Sequence, residues 1–380
     1  MTVIVNIFSE LFHMIWEIYW GLAAGFILSS LIRAFVSTES ISFRLGRNSV
    51  KSLGLATLFG AISSSCSYAA ASMARRLLIK GSTWSNAVAF MLASTNLVFE
   101  IFIVIISLLG WAFFGGEIIG GIFFIILSVI LISWFFPLKV SDEAKEHILA
   151  SESKNSNNPH AHHNMESSCC NDMKMGIKSQ GAHNTGFLTS LKTASGHYYL
   201  DVTMVGNDIL IGLAVSAVLM VLVPDAFWKG LFLTGNSSLP HFLVLSWNAI
   251  VGIVIAIFAF VCSVGNIVMA AVLWQGGISF GGVIAFILSD LVTIPMLLVF
   301  RRYYGIKTMW YLLAILVVSI FFTALFLDYS FEALHWLPKA RSGGMQMKND
   351  GFQWNYQTWL NLFFIPLSLF YFFWGRKSMK

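Results

Sequence analysis

Nine long apolar runs leave this chain almost no choice of architecture. They fall near residues 13–36, 52–79, 84–112, 118–137, 205–223, 242–275, 279–300, 309–327 and 358–375. A bilayer crossing needs about 20 predominantly apolar residues in a helix. Within lipid, every backbone N–H and C=O must find a partner inside the segment, so helices are the natural solution for runs of this length. Only 11% of residues are charged and 57% are hydrophobic. A soluble domain carries about 25% charged residues, so the composition agrees with the runs. The net charge of +5 reads as basic cytoplasmic loops, not as a nucleic-acid surface. The first apolar run has no basic residue before it, unlike a signal peptide with a basic n-region.

A duplication organises these runs. CSYAAASMARRLLIKGSTWSNAVAFML, from Cys66, aligns without a gap to CSVGNIVMAAVLWQGGISFGGVIAFIL, from Cys262, at an offset of 196 residues. Nine of the 27 aligned positions are identical, including Cys66/Cys262, Ser67/Ser263 and Gly81/Gly277. Two related halves with a substrate path between them are a recurrent transporter plan.

Loop charges give the halves a direction. Arg33, Arg44, Arg47 and Lys51 follow the first run, and Arg75, Arg76 and Lys80 follow the second. Both sets lie on the cytoplasmic side if the second run is a re-entrant hairpin broken at Ser63–Ser67. By the same logic the run at 242–275 dips from the outside and is broken near Cys262, leaving Arg301, Arg302 and Lys307 cytoplasmic. The expected fold is therefore an all-α polytopic membrane protein. It has two inverted-topology repeats, each with a broken or re-entrant hairpin, plus a C-terminal helix. The expected units are 1–137 (first repeat), 138–203 (cytoplasmic loop), 204–327 (second repeat), 328–357 (external loop) and 358–380 (C-terminal helix and basic tail). The N-terminus is expected outside and the C-terminus inside. Full crossing by both hairpins is the alternative.

Three groups of residues carry candidate chemistry. Cys66, Ser67, Cys262 and Ser263 sit at the expected breaks, where a thiol suits soft ions such as Cu(I) or trivalent arsenic. A free Cys in an apolar helix is otherwise a small packing residue. Asn96, Glu100, Asn266 and Asp290 are polar groups inside apolar runs, and an intramembrane carboxylate is costly enough to suggest function. The aligned partner of Asp290 is Ser94, so any site should draw its ionisable group mainly from the second half. Glu117 and Asp208 lie near the ends of runs and read as interfacial. The third group is in the 138–203 loop, which holds 13 of the 41 charged residues and six of the nine His. There His160, His162, His163, Met165, Cys169, Cys170, Met173 and Met175 form a ligand set suited to a soft metal ion, without the paired spacing of structural zinc. An incidental His-rich linker is the competing reading. The end of this loop, GFLTSLKTASGHYYLDVTMV, regains the spacing of a short interfacial helix.

No phosphate-binding GxxxxGK[ST], HExxH or GxSxG motif is present, so no such motor or hydrolytic centre is expected. The segments CSYAAASMARRLLIKGSTWSNAVAFMLASTNLVFE and FVCSVGNIVMAAVLWQGGISFGGVIAFILSDLVTIPMLLVFRRYYG resemble the predicted-permease family of YraQ and the organoarsenical exporter ArsP. In the arsenical exporters the first motif resembles a Pro-preceded CSCG. Here it reads SSSCSYA, with Tyr68 in place of the second Cys, which leaves one thiol. The second motif is closer to permeases with His- and Met-rich central loops.

The resemblance implies a multi-pass permease of a bacterial or archaeal plasma membrane. The expected function is secondary transport, as export of a soft metal or metalloid species, with no required cofactor. Its expected partners are the bilayer and a small inorganic or organometalloid cargo, with homo-oligomerisation open. A membrane-embedded thiol oxidoreductase or metal-handling partner, and an assembly subunit, are the other classes weighed.

Overall fold

A computed structural model describes residues 2–35, 49–63, 67–79, 81–137, 191–199, 225–233, 240–259, 263–338 and 356–378, with a few positions between 140 and 218. The described residues are helical, and five helices are long and apolar enough to cross a membrane. A sixth crossing follows if one bent pair is a single span. The protein is a multi-pass membrane protein.

The first part of the chain forms α1 (Thr2–Phe35), α2 (Val50–Ser63), α3 (Ser67–Ile79), α4 (Trp84–Asn96), α5 (Phe99–Leu108) and α6 (Trp111–Phe135). A short helix, α7, covers 191–199, inside the stretch expected to be helical at the end of the loop. The second part forms α8 (Asp225–Leu231), α9 (His241–Phe258), α10 (Ser263–Gln275), α11 (Phe280–Leu288), a 3-10 turn (Ser289–Val292), α12 (Ile294–Tyr304) and α13 (Ile306–Ala333). Helix α14 (Tyr356–Ser378) closes the described chain. The apolar run at 205–223 lies almost wholly outside the described residues.

Glycine places the sharp turns. Gly81 and Gly277 have φ of +89° and +96°, and Gly110 and Gly305 have φ of +94° and +89°. These left-handed values suit glycine because it has no Cβ to clash. The helix after each of the first two turns is capped by a hydroxyl 196 residues apart. Thr83 Oγ1 accepts from Asn86 N (3.4 Å), and Ser279 Oγ from Gly282 N (3.0 Å).

The two turns lie at opposite ends of α6. Beside the Gly81 turn, Trp84 packs on Phe136, just past the end of α6, with ring centroids 5.1 Å apart. Beside the Gly277 turn, Trp274 and Phe280 pack on Phe113 at the start of α6, at 5.0 and 4.8 Å. Helices α3 and α12 pack together and run from the molecule's middle toward the first end, while α10 and α5 pair toward the second. Close approach in each half depends on a missing side chain. A Cβ on Gly60 would lie 2.4 Å from Phe90 O, and one on Gly252 2.5 Å from Gly282 O.

Three expected spans differ in detail. The runs at 84–112 and 279–300 are each interrupted, at Leu97–Val98 and at the 3-10 turn. The first interruption bends its helix pair by 41°. The run expected from residue 118 begins instead at Trp111. Glu117 is consequently well inside a helix and fully buried, which corrects its interfacial reading.

Candidate functional site

The polar groups gather where helices stop and restart. Helix α2 stops at Ser63 and α3 starts at Ser67; α9 stops at Phe258 and α10 starts at Ser263. Helix α4 gives way to α5 after Asn96, and α11 to α12 through Ser289–Val292. Interrupted helices at membrane depth free backbone groups, which must then be buried in protein or face a watery cavity.

Ser67, the first residue of α3, donates its hydroxyl to Asp290 Oδ2. Both residues are buried, at 7% and 4% exposure. The bond crosses 223 residues and joins the two parts of the chain. It also sets the carboxylate at a helix N-terminus, where the backbone dipole favours negative charge. A hydrogen bond to a charged group contributes about 1.5–3 kcal/mol. Placing a carboxylate mid-membrane costs roughly 2.5–3.5 kcal/mol on insertion scales. The two are comparable, so the Ser67 hydroxyl offsets much of the cost of burying Asp290 there.

Farther along the same helices, Tyr304 Oη donates to Ala71 O (3.0 Å), and the Arg75 guanidinium lies over the Tyr303 ring (5.3 Å). These contacts hold α3 against α12, fixing the Ser67–Asp290 approach from below. Arg75, Arg76, Arg301 and Arg302 all belong to this end, as does Lys307, which pairs with Glu143 at 2.8 Å.

The remaining predicted residues take different roles. Asn96 is buried and turns its Nδ2 back onto Leu92 O (3.2 Å) in its own helix. Ser94 Oγ likewise donates to Met91 O (3.0 Å). The hydroxyl aligned with Asp290 is thus consumed locally, while Asp290 reaches across the protein. Asn266, on α10, has no exposure, and neither side-chain polar atom finds a hydrogen-bond partner among the described residues. Glu100 opens α5 against α1, where a Cβ on Gly25 would lie 2.9 Å from Glu100 Cα. Ser263 opens α10, but its side chain is outside the description. Cys66 and Cys262 lie outside the described residues, and so do His160, His162, His163, Met165, Cys169, Cys170, Met173 and Met175. Among the described residues no group of three or more His, Cys, Asp or Glu is gathered to hold a metal.

Sequence reasoning missed two buried carboxylates. Glu117 is one. Asp328, near the end of α13, accepts from Gly281 N (2.6 Å) and Ser279 Oγ (2.9 Å), so it closes the N-terminus of α11 from outside that helix. Its signal in the sequence was an acidic residue within a helical apolar stretch that the expected boundary at 327 cut off.

The chain matches the ArsP_1 family, described as predicted permeases, over residues 4–329. It belongs to that permease family. The match covers the helix breaks, the Ser67–Asp290 contact and both Gly turns. A similar protein is the one named "Putative permease Rv2963" from Mycobacterium tuberculosis, 36% identical over 339 residues, covering 88% of this chain and 78% of that one. No solved structure matches the chain. Membership of the permease family agrees with the expectation of transport across a membrane.

Proposed function

We propose that this permease is a secondary exporter of a soft metal or metalloid species, arsenical-like or copper-like, working from the cytoplasm of a bacterial or archaeal cell outward. The observation that carries this reading is the Ser67–Asp290 hydrogen bond between two interrupted helices in the middle of the protein. Asp290 is the group that exchanges partners, leaving Ser67 when a cationic or thiophilic cargo enters. Cys66 and Cys262, next to Ser67 and Ser263 in sequence, supply the soft ligands. Asn96, Asn266 and Glu100 line the way.

Opposed entry of the two hairpins is supported by the turns at opposite ends of α6, and it makes the halves an inverted pair. The basic cluster at the Gly81 end supports a cytoplasmic position for that end. The His- and Met-containing loop then delivers cargo from the same side. No cofactor is required by this reading, whether or not the loop holds a soft metal ion.

The test is uptake into everted vesicles and proteoliposomes, offered methylarsenite, arsenite, Cu(I) and Ag(I) in turn. At least one is expected to accumulate with wild-type protein. Asp290→Asn should abolish that flux, and Cys66→Ala with Cys262→Ala should remove the preference for thiophilic ions. Absence of flux with all four probes, or flux untouched by these substitutions, would overturn the reading.

A further inference from the structure

We propose that Glu117 is a proton-binding site, sealed beneath an aromatic layer and separate from the Ser67–Asp290 contact. Glu117 has no exposure, and neither carboxyl oxygen has a hydrogen-bond partner among the described residues. A bare carboxylate in such a place has nothing to replace its lost water, so the group is best accommodated holding a proton.

The surroundings are built to enclose it. Glu117 sits between glycines on α6 that let three elements press close. A Cβ on Gly116 would lie 2.5 Å from Phe280 Cζ, one on Gly120 2.7 Å from Leu327 Cδ1, and one on Gly121 2.8 Å from Leu97 Cδ2. Above them, Phe113 packs on Trp274 and Phe280, and Phe280 on Phe331 at 4.6 Å. These rings close the end of the molecule that holds the Gly277 turn.

The helical rise sets the depths below this layer. Glu117 is about 6 Å past Phe113 along α6, Asn266 about 12 Å before Trp274 along α10, and Asp290 about 15 Å past Phe280. The two polar side chains left without partners, Glu117 and Asn266, therefore lie at successive depths between the aromatic layer and the Ser67–Asp290 contact.

Among the described residues, no cation on the helices packed around α6 is placed against Glu117. Helices α4, α10 and α11 carry no ionisable residue. Helix α5 carries Glu100, placed against α1. On α13, Asp328 is engaged by Ser279 and Gly281, Glu332 lies beside His241 (3.8 Å), Lys307 pairs with Glu143 at the far end, and Tyr311 packs on Phe136 there, with Tyr329 beside His241. The proton stays on a carboxyl oxygen while the aromatic layer is closed. When the layer parts, that O–H bond releases its proton to water and leaves a carboxylate, which is protonated again before closure.

The place of this site in a cycle rests on the permease reading, but the proton is testable without cargo. The measurement is the infrared spectrum of the purified full chain in nanodiscs. At neutral pH the wild type should show a carboxylic-acid C=O stretch that Glu117→Gln loses and Asp290→Asn retains. In D2O that band should shift slowly and completely, and faster in Trp274→Ala. If Glu117→Gln does not fold, Glu117→Asp should keep an acid band at a changed frequency. An identical band in wild type and variant at neutral pH overturns the site. A band that never shifts in D2O overturns its access to water. Loss of all flux in the cargo assays would remove the soft-metal export reading and leave these spectra as they stand.

Discussion

The segments α4–α5 and α11–α12 are interrupted at matching distances along the chain, yet they spend the interruption differently. In the first, Asn96 folds onto its own helix and the axis bends by 41°. In the second, a 3-10 turn tightens the backbone, Pro295 falls in the first turn of α12, and Asp290 reaches out to Ser67. One interruption closes on itself and the other makes a contact across the protein. Similar interruptions therefore need not make similar contacts: the buried carboxylate Asp290 stands at the second, and the locally bonded Ser94 and Asn96 at the first.

The largest expected effects probe what the two halves have in common. Gly60→Ala and Gly252→Ala each push a methyl group into a backbone carbonyl. Each should destabilise the protein by about 1–3 kcal/mol, as overpacking does. Unfolding midpoints in detergent would measure both. A large loss in one half alone would break the parallel. Next come the caps. Asp328→Ala removes an acceptor from two donors at the start of α11 and should cost about 1–3 kcal/mol, because Gly281 N is left buried without it. Thr83→Ala, at the corresponding end of α4, should cost about 1 kcal/mol, as a single hydroxyl cap does. Equal losses would argue that Asp328 does no more than a hydroxyl. The smallest effect is expected from Tyr304→Phe, about 0.5–1.5 kcal/mol, for one neutral hydrogen bond to Ala71 O. Its value lies in flux, since loosening α3 from α12 should weaken transport through Asp290 while Ser94→Ala leaves it unchanged.

Much of this arrangement was legible because lipid restricts what an apolar run can do. The stops at Ser63 and Phe258 each come just before a Cys-Ser motif; the first was visible as the small polar run Ser63–Ser67, and the second only through its alignment at Cys262. Gly81 and Gly277 stood out as an identity in the duplication, and both take the positive φ of a turn. The interruptions after Asn96 and Leu288 were not read, although Asn96 and the Thr293-Ile294-Pro295 sequence marked them. Hydropathy averages over such residues, and the runs remain apolar throughout. Glu117 was misplaced for a related reason. Its helix starts at Trp111 because GWAFFGG is helical here, and the glycines that look like a loop in sequence are used for helix contact. Asp290 was singled out by its residue type, but its partner Ser67 lies 223 residues away and no local pattern connects them.

Helices α1 and α14 lie side by side and are joined by polar contacts: Asn361 Nδ2 donates to Trp16 O at 2.6 Å, and Tyr19 Oη meets Ser368 Oγ at 2.7 Å. Their partners are 345 and 349 residues apart. A ribosome adding about 5–20 residues per second leaves α1 waiting many seconds for its neighbour. During that interval α1 has α5 to pack on, and only the face that α14 covers is left to lipid or an insertion factor. Helix α14 therefore completes the packing of α1, and a ribosome that stalls before α14 should release a protein in which Trp16 O and Tyr19 Oη lack these contacts.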